Sequence, residues 1–153
     1  MSEDLLIRYI QEINKAEYEC NVMLTLEYES LMDENITDKQ LILLGLVHES
    51  GRLTASEIAD KLGVTPSAVS QLLGKLENAG YIKRSINPSN RREIVIELDE
   101  NGHRYMERNR QVELSIIERY YSKLGMEDIK DLRRITLKLK KIITEEQSKE
   151  KET

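Results

Sequence analysis

The stretch KLGVTPSAVSQLLGKLENAG, residues 61–80, constrains this chain more than any other part of it. Gly63 suits the left-handed backbone that ends a helix, Thr65 can cap the next helix, and Pro66 fits a first helical position. Just upstream, Thr54 with Glu57 reads as a capping box that opens a short helix over ASEIADKL. Two helices separated only by GVT must turn sharply and pack across each other, which is helix-turn-helix spacing. At roughly 100° per residue, Val69, Leu72, Leu73 and Leu76 fall on one stripe of the second helix, for the core. The opposite side carries Ser67, Ser70, Gln71, Gly74, Lys75 and Asn78, with no acid among them.

The flanking segments complete a mainly α chain with a small β-hairpin. Residues 5–32 repeat apolar side chains at helical spacing, among them Leu6, Ile10, Ile13, Cys20 and Leu24. Thr37 with Gln40 forms a second capping box, and a buried helix follows to about Val47 before HESGRL interrupts it. YIKRSI (81–86) and EIVIEL (93–98) are β-branched and partly alternating, with NPSNRR (87–92) between them as a polar loop. Asp99 is an N-cap candidate for a helix to about Leu124, and a last helix runs from Met126 to roughly Glu146. The residues beyond it read as a solvated tail.

Net charge would exclude nucleic acid as a partner if it were spread evenly: the chain carries −5 over 153 residues. It is not spread evenly. Residues 64–92 hold Lys75, Lys83, Arg84, Arg91 and Arg92 against the single acid Glu77, so this segment is +4 and the remainder −9. A basic patch of groove size on an acidic scaffold is the electrostatic footprint of a DNA reader. Small donors and acceptors on a helix suit base edges and phosphates in a major groove. An arginine on a hairpin tip suits the negative potential of a narrow minor groove. A solvated helix that happens to lack acids is the bland alternative, as is a winged helix used only for protein contacts. No Ser/His/Asp set and no Gly-rich phosphate loop is visible, so an enzyme is not expected. His48 and His103 stand without metal-ligand spacing, so no metal or cofactor is expected. No stretch nears the roughly 18 apolar residues of a membrane span, and the N-terminus is unlike a signal peptide, so the expectation is a cytoplasmic protein without a membrane partner.

From ITDKQLILLGLVHESGRLTASEIADKLGVTPSAVSQLLGKLENAGYIKRSINPSNRREIVIELDENGHRYM, the chain resembles the MarR family of winged helix-turn-helix regulators. The resemblance implies a homodimer in which the first and last helices of two copies interleave, residues 1–36 and 112–147. It implies a DNA-binding lobe over 37–111 and leaves 148–153 as a disordered tail. Broad apolar faces on 5–32 and 112–143 support a second copy independently, although packing within one chain would also use them. The expected function is a sequence-specific double-stranded DNA-binding regulator, a ligand-responsive repressor on a palindromic operator. The residues expected at DNA are Thr65, Ser67, Ala68, Ser70, Gln71 and Lys75 on the helix. On the hairpin they are Lys83, Arg84, Ser89, Asn90, Arg91 and Arg92, with Lys83 and Arg84 reaching phosphates. In one respect the chain departs from the family. The wing commonly has aspartates, one of which braces the tip arginine; here Asn87 and Asn90 stand there. The charged brace is lost, a more mobile wing is expected, and either Arg91 or Arg92 becomes the minor-groove residue.

Relatives in that family release DNA on binding a phenolic or lipophilic small molecule, sense peroxide through a cysteine, or bind metal. Cys20 is the one cysteine, which excludes an intramolecular disulfide. It falls in an apolar stripe beside Glu19 and Asn21, which suits a small hydrophobe better than a reactive thiolate. Tyr9, Tyr18 and Tyr28 can line a pocket or fill a core that has no Phe or Trp. The effector and its pocket stay unassigned.

Overall fold

A computed structural model describes residues 3–32 and 35–151. It divides into two units, Met1–Val112 and Glu113–Thr153. The first unit holds α1 (Glu3–Met32), α2 (Asp38–Ser50), β1 (Arg52–Thr54), α3 (Ala55–Leu62) and α4 (Pro66–Asn78), then β2 (Ile82–Asn87), β3 (Asn90–Leu98) and the larger part of α5 (Glu100–Arg119). In the second unit the end of α5 leads into a 3₁₀ turn, Tyr121–Leu124, and then α6 (Met126–Lys151).

Local chemistry fixes each helix boundary around the turn. Thr37 Oγ1 accepts from Gln40 N at 3.3 Å, and Gln40 Oε1 accepts from Thr37 N at 2.9 Å. Thr54 and Glu57 make the same reciprocal pair at 3.1 and 2.9 Å. Each box satisfies two N–H groups that a helix start leaves orphaned. Gly63 ends α3 at φ 62°, and its N–H reaches the carbonyls of Ala59 and Asp60. Thr65 Oγ1 accepts from Ala68 N at 3.2 Å and starts α4 two residues later. α4 ends with Tyr81 N donating to Leu76 O and Gly80 N donating to Glu77 O, a Schellman pattern with Gly80 at φ 76°.

The core lies where α2, α3 and α4 meet the sheet. Leu43, Leu44, Val47, Ile58, Leu73, Leu76, Ile82 and Ile96 are shut off from solvent. Burying each such side chain is worth about 1.5–3 kcal/mol. The α4 stripe is as expected at Val69, Leu73 and Leu76; Leu72 stays half-buried.

The sheet has three strands, not two, in the order β1-β3-β2. β1 pairs with β3 through Leu53↔Ile96 and is too short to announce itself from residue types. The hairpin ladder also reaches further than expected. Asn87 pairs with Asn90, so most of the expected 87–92 loop is strand closed by Pro88–Ser89. The disordered tail expected over 148–153 is also corrected, since α6 continues to Lys151, leaving 152–153 outside the described residues. Ion pairs Lys141–Glu145 and Lys149–Glu146 at helical spacing support that last stretch.

α1 is tied to α5 within the first unit. Tyr28 Oη donates to Asn109 Oδ1, and Arg108 donates to the Leu31 carbonyl at 3.0 Å. From residue 3 to residue 23 the side chains of α1 face solvent in the single chain, including Cys20, which was expected to be buried, whereas Met32 at the end of the helix is buried. In the second unit, α6 buries none of its side chains.

Candidate nucleic-acid interface

The acid-free side of α4 is open. Thr65, Ser67, Ser70, Gln71 and Lys75 are exposed, while Ala68 and Gly74 are half-buried and keep the surface low between them. Nothing bulky projects from this face except Gln71 and Lys75, so a flat or convex partner can approach its backbone.

Three contacts fix the root of the wing to this helix. Asn101 Nδ2 donates to Ala79 O at 2.9 Å, Asn101 N to Gly80 O at 3.2 Å, and Asp99 N to Tyr81 O at 2.9 Å. Tyr81 packs edge-on against Tyr105 with ring centres 5.9 Å apart. The end of α4, the start of β2 and the start of α5 are therefore one joint. Residues that approach this closely hold the wing at one angle to α4.

A fourth contact involves Arg84. Its Nε lies 2.9 Å from Glu77 Oε2, joining β2 to the last turn of α4. Arg84 stands in the cross-strand row with Ile96 and Leu53, both buried, so it points to the packed side of the sheet. Its side chain stays partly exposed while it pairs with Glu77 across β2 and α4. Lys83, one residue on, projects from the other face and is exposed.

At the wing tip the register jumps from Ile86↔Ile94 to Asn87↔Asn90. Arg91, Arg92 and Glu93 thus stand opposite no β2 residue and form a bulge. Bulges re-aim side chains, and here both exposed arginines ride on one. The two asparagines are both engaged at the tip. Asn87 Oδ1 accepts from Ser89 N at 3.0 Å, and Asn90 Oδ1 accepts from Arg92 N at 3.2 Å. Asn87 Nδ2 also donates to Glu93 Oε2 at 2.7 Å. An ionised aspartate at 87 could not make that last bond, because it has no donor. Glu93 therefore belongs to the tip, an acid that sequence reading placed only in the following strand.

Away from this surface, the carboxyl of Glu107 on α5 is held below its usual range, first by a hydrogen bond from Arg110 and then by that residue's charge. The same bond raises Arg110. Among the described residues, no group of three His, Cys, Asp or Glu could hold a metal ion, and no helix is long and apolar enough to cross a membrane.

A helix-turn-helix with an acid-free open face, followed by a hairpin whose bulge carries two arginines, defines a winged-helix DNA-binding module. The model of the MarR family matches residues 36–94. The HTH-type transcriptional repressor MdtR of Bacillus subtilis is 34% identical over 111 residues, 72% of this chain and 72% of that protein. The solved YusO protein of Bacillus subtilis is 31% identical with a TM-score of 0.73, covering 92% of this chain and 99% of that one. FabT of Streptococcus pneumoniae, solved in complex with DNA, shares the fold at 21% identity and a TM-score of 0.75, over 89% of this chain and 98% of its own. The chain belongs to the MarR family of DNA-binding winged-helix transcriptional regulators. Such relatives are regulators and not enzymes, as the residues led us to expect.

Proposed function

We propose that this protein is a repressor that binds a palindromic operator as a homodimer and leaves it when a small-molecule effector binds. In this reading α4 lies in the major groove, with Gln71, Ser67 and Ser70 at base edges and Thr65, Ala68 and Lys75 beside the backbone. Lys83 and Ser89 meet phosphates, and the bulge carries Arg91 and Arg92, flanked by Asn90, toward the adjacent minor groove. Arg84 holds the wing in place rather than touching DNA. The observation that carries the reading is the joint at Ala79–Asn101, which aims an acid-free helix face and a two-arginine bulge from one rigid base.

Two copies are supported by α6. A 26-residue helix with no buried side chain lacks the packing that sustains most protein helices. Leu132, Ile135, Leu139 and Ile142 recur along it at threes and fours and are all exposed. That is the pattern of a helix that pairs with another. On this basis 1–36 and 112–147 form the dimerisation region and 37–111 the DNA-binding lobe. MdtR is named a repressor, which supports that sign of regulation. The effector rests on the family resemblance.

Selection of duplexes from a random pool, followed by sedimentation of the complex, tests the reading. Two copies on a site with two-fold symmetry are expected. One copy on an asymmetric site, or no preference among duplexes, rejects it. Candidate ligands added to a gel shift with DNA from the protein's own upstream region test the effector.

A further inference from the structure

The basic segment 64–92 does not include the lysine that completes the DNA-facing surface. A shallow groove of about 170 Å³ runs between α2 and α4. Val64, Ala68 and Leu72 line it with apolar surface, Gln71 and Lys75 lie along its α4 side, and Lys39 comes from the first turn of α2. Neither Lys39 nor Lys75 makes an ion pair among the described residues. Most basic side chains of α1 and α5 do: Arg8 with Glu12, Lys15 with Glu19, Arg104 with Glu100, and Arg110 with Glu107.

Lys39 is also badly placed for its own helix. It is the second residue of α2, where the helix dipole favours an anion and disfavours a cation. Local stability does not account for a lysine there, whereas an anion held in the groove does. A deoxyribose-phosphate unit matches this chemistry. Its sugar carbons can lie on Val64, Ala68 and Leu72 while its phosphate meets two ammonium groups that no carboxylate competes for.

We propose that Lys39 and Lys75 together clamp one backbone phosphate of the operator beside the bases that Gln71 reads. The proposal rests on the DNA-binding reading above and extends the contact surface to α2. Phosphate contacts add affinity and register without sequence information, and each neutralised phosphate steepens the salt dependence by about 0.9 in the log–log slope.

The experiment is operator binding at several salt concentrations by full-length protein, unsubstituted, Lys39→Gln and Lys39→Arg. Lys39→Gln should weaken operator binding at every salt concentration, make the slope shallower by at most about 1.8 for a dimer because Lys75 still meets the phosphate, and leave the selected consensus unchanged. Lys39→Arg should keep the parental slope. Because glutamine removes an unfavourable charge from the start of α2, the urea midpoint should not fall, so lost affinity cannot be assigned to unfolding. A Lys39→Gln protein with the parental slope and affinity overturns the clamp while the DNA-binding reading stands. An altered consensus also overturns it, because Lys39 would then be reading bases. A parent protein that binds no duplex overturns both.

Discussion

Replacing Gly102 by alanine sets two effects of known size against each other. Gly102 is the third residue of α5, and in a helix alanine is favoured over glycine by about 1 kcal/mol. Taken alone, that predicts a more stable protein. The joint predicts the reverse. A Cβ at 102 would lie 2.1 Å from the carbonyl oxygen of Tyr81 and 3.2 Å from Leu98 Cδ2. Even close carbon–oxygen contacts need about 3.3–3.6 Å, so α5 and the start of β2 must part by roughly 1 Å. Tyr81 O is also the acceptor for Asp99 N, and weakening that bond adds about 1 kcal/mol. Overpacking typically costs about 1–3 kcal/mol. The net expectation is destabilisation of about 1–3 kcal/mol, read as a lower urea midpoint at fixed protein concentration. Operator affinity should fall further than stability alone explains, because the same joint aims the wing. A Gly102→Ala protein with an unchanged or higher midpoint would refute the argument.

Two further substitutions separate scaffold from interface. Arg84→Gln should leave the salt slope of operator binding unchanged and lower stability by at most about 1 kcal/mol, the usual worth of an exposed ion pair; a slope shallower by nearly 2 would show that Arg84 meets phosphate after all. Asn87→Asp would put a second carboxylate against Glu93, which raises the pKa of one of the pair. Its operator affinity should therefore be depressed at neutral pH and recover as pH falls toward the carboxylate range, and a deficit that does not vary with pH would argue against the repulsion.

How much of this was legible from residues follows the range of the interactions. The caps at Thr37, Thr54 and Thr65 and the turn at Gly63 depend on neighbours three or four positions away, and each stands where residue types put it. β1 was missed because three residues, Arg52–Thr54, become a strand only by pairing with β3 some forty positions on. The ion pair of Arg84 with Glu77 escaped for the same reason, since it needs α4 and β2 folded against each other. At the wing tip, composition announced a polar loop but not the bulge, which arises from the register between strands. Lys39 escaped because it lies outside the basic run, and only folding brings α2 beside α4. Cys20 sits in the stripe as expected, yet that stripe is open in one chain.

Hydroxyl-radical footprinting of the selected operator tests most directly whether helix and wing act as one unit from each half of the dimer. The unsubstituted protein should protect a symmetric pattern, with two inner segments about one helical turn apart and an outer minor-groove segment on each side. Arg91→Ala/Arg92→Ala should erase the outer pair and keep the inner pair. Outer protection that survives the double substitution would contradict the account.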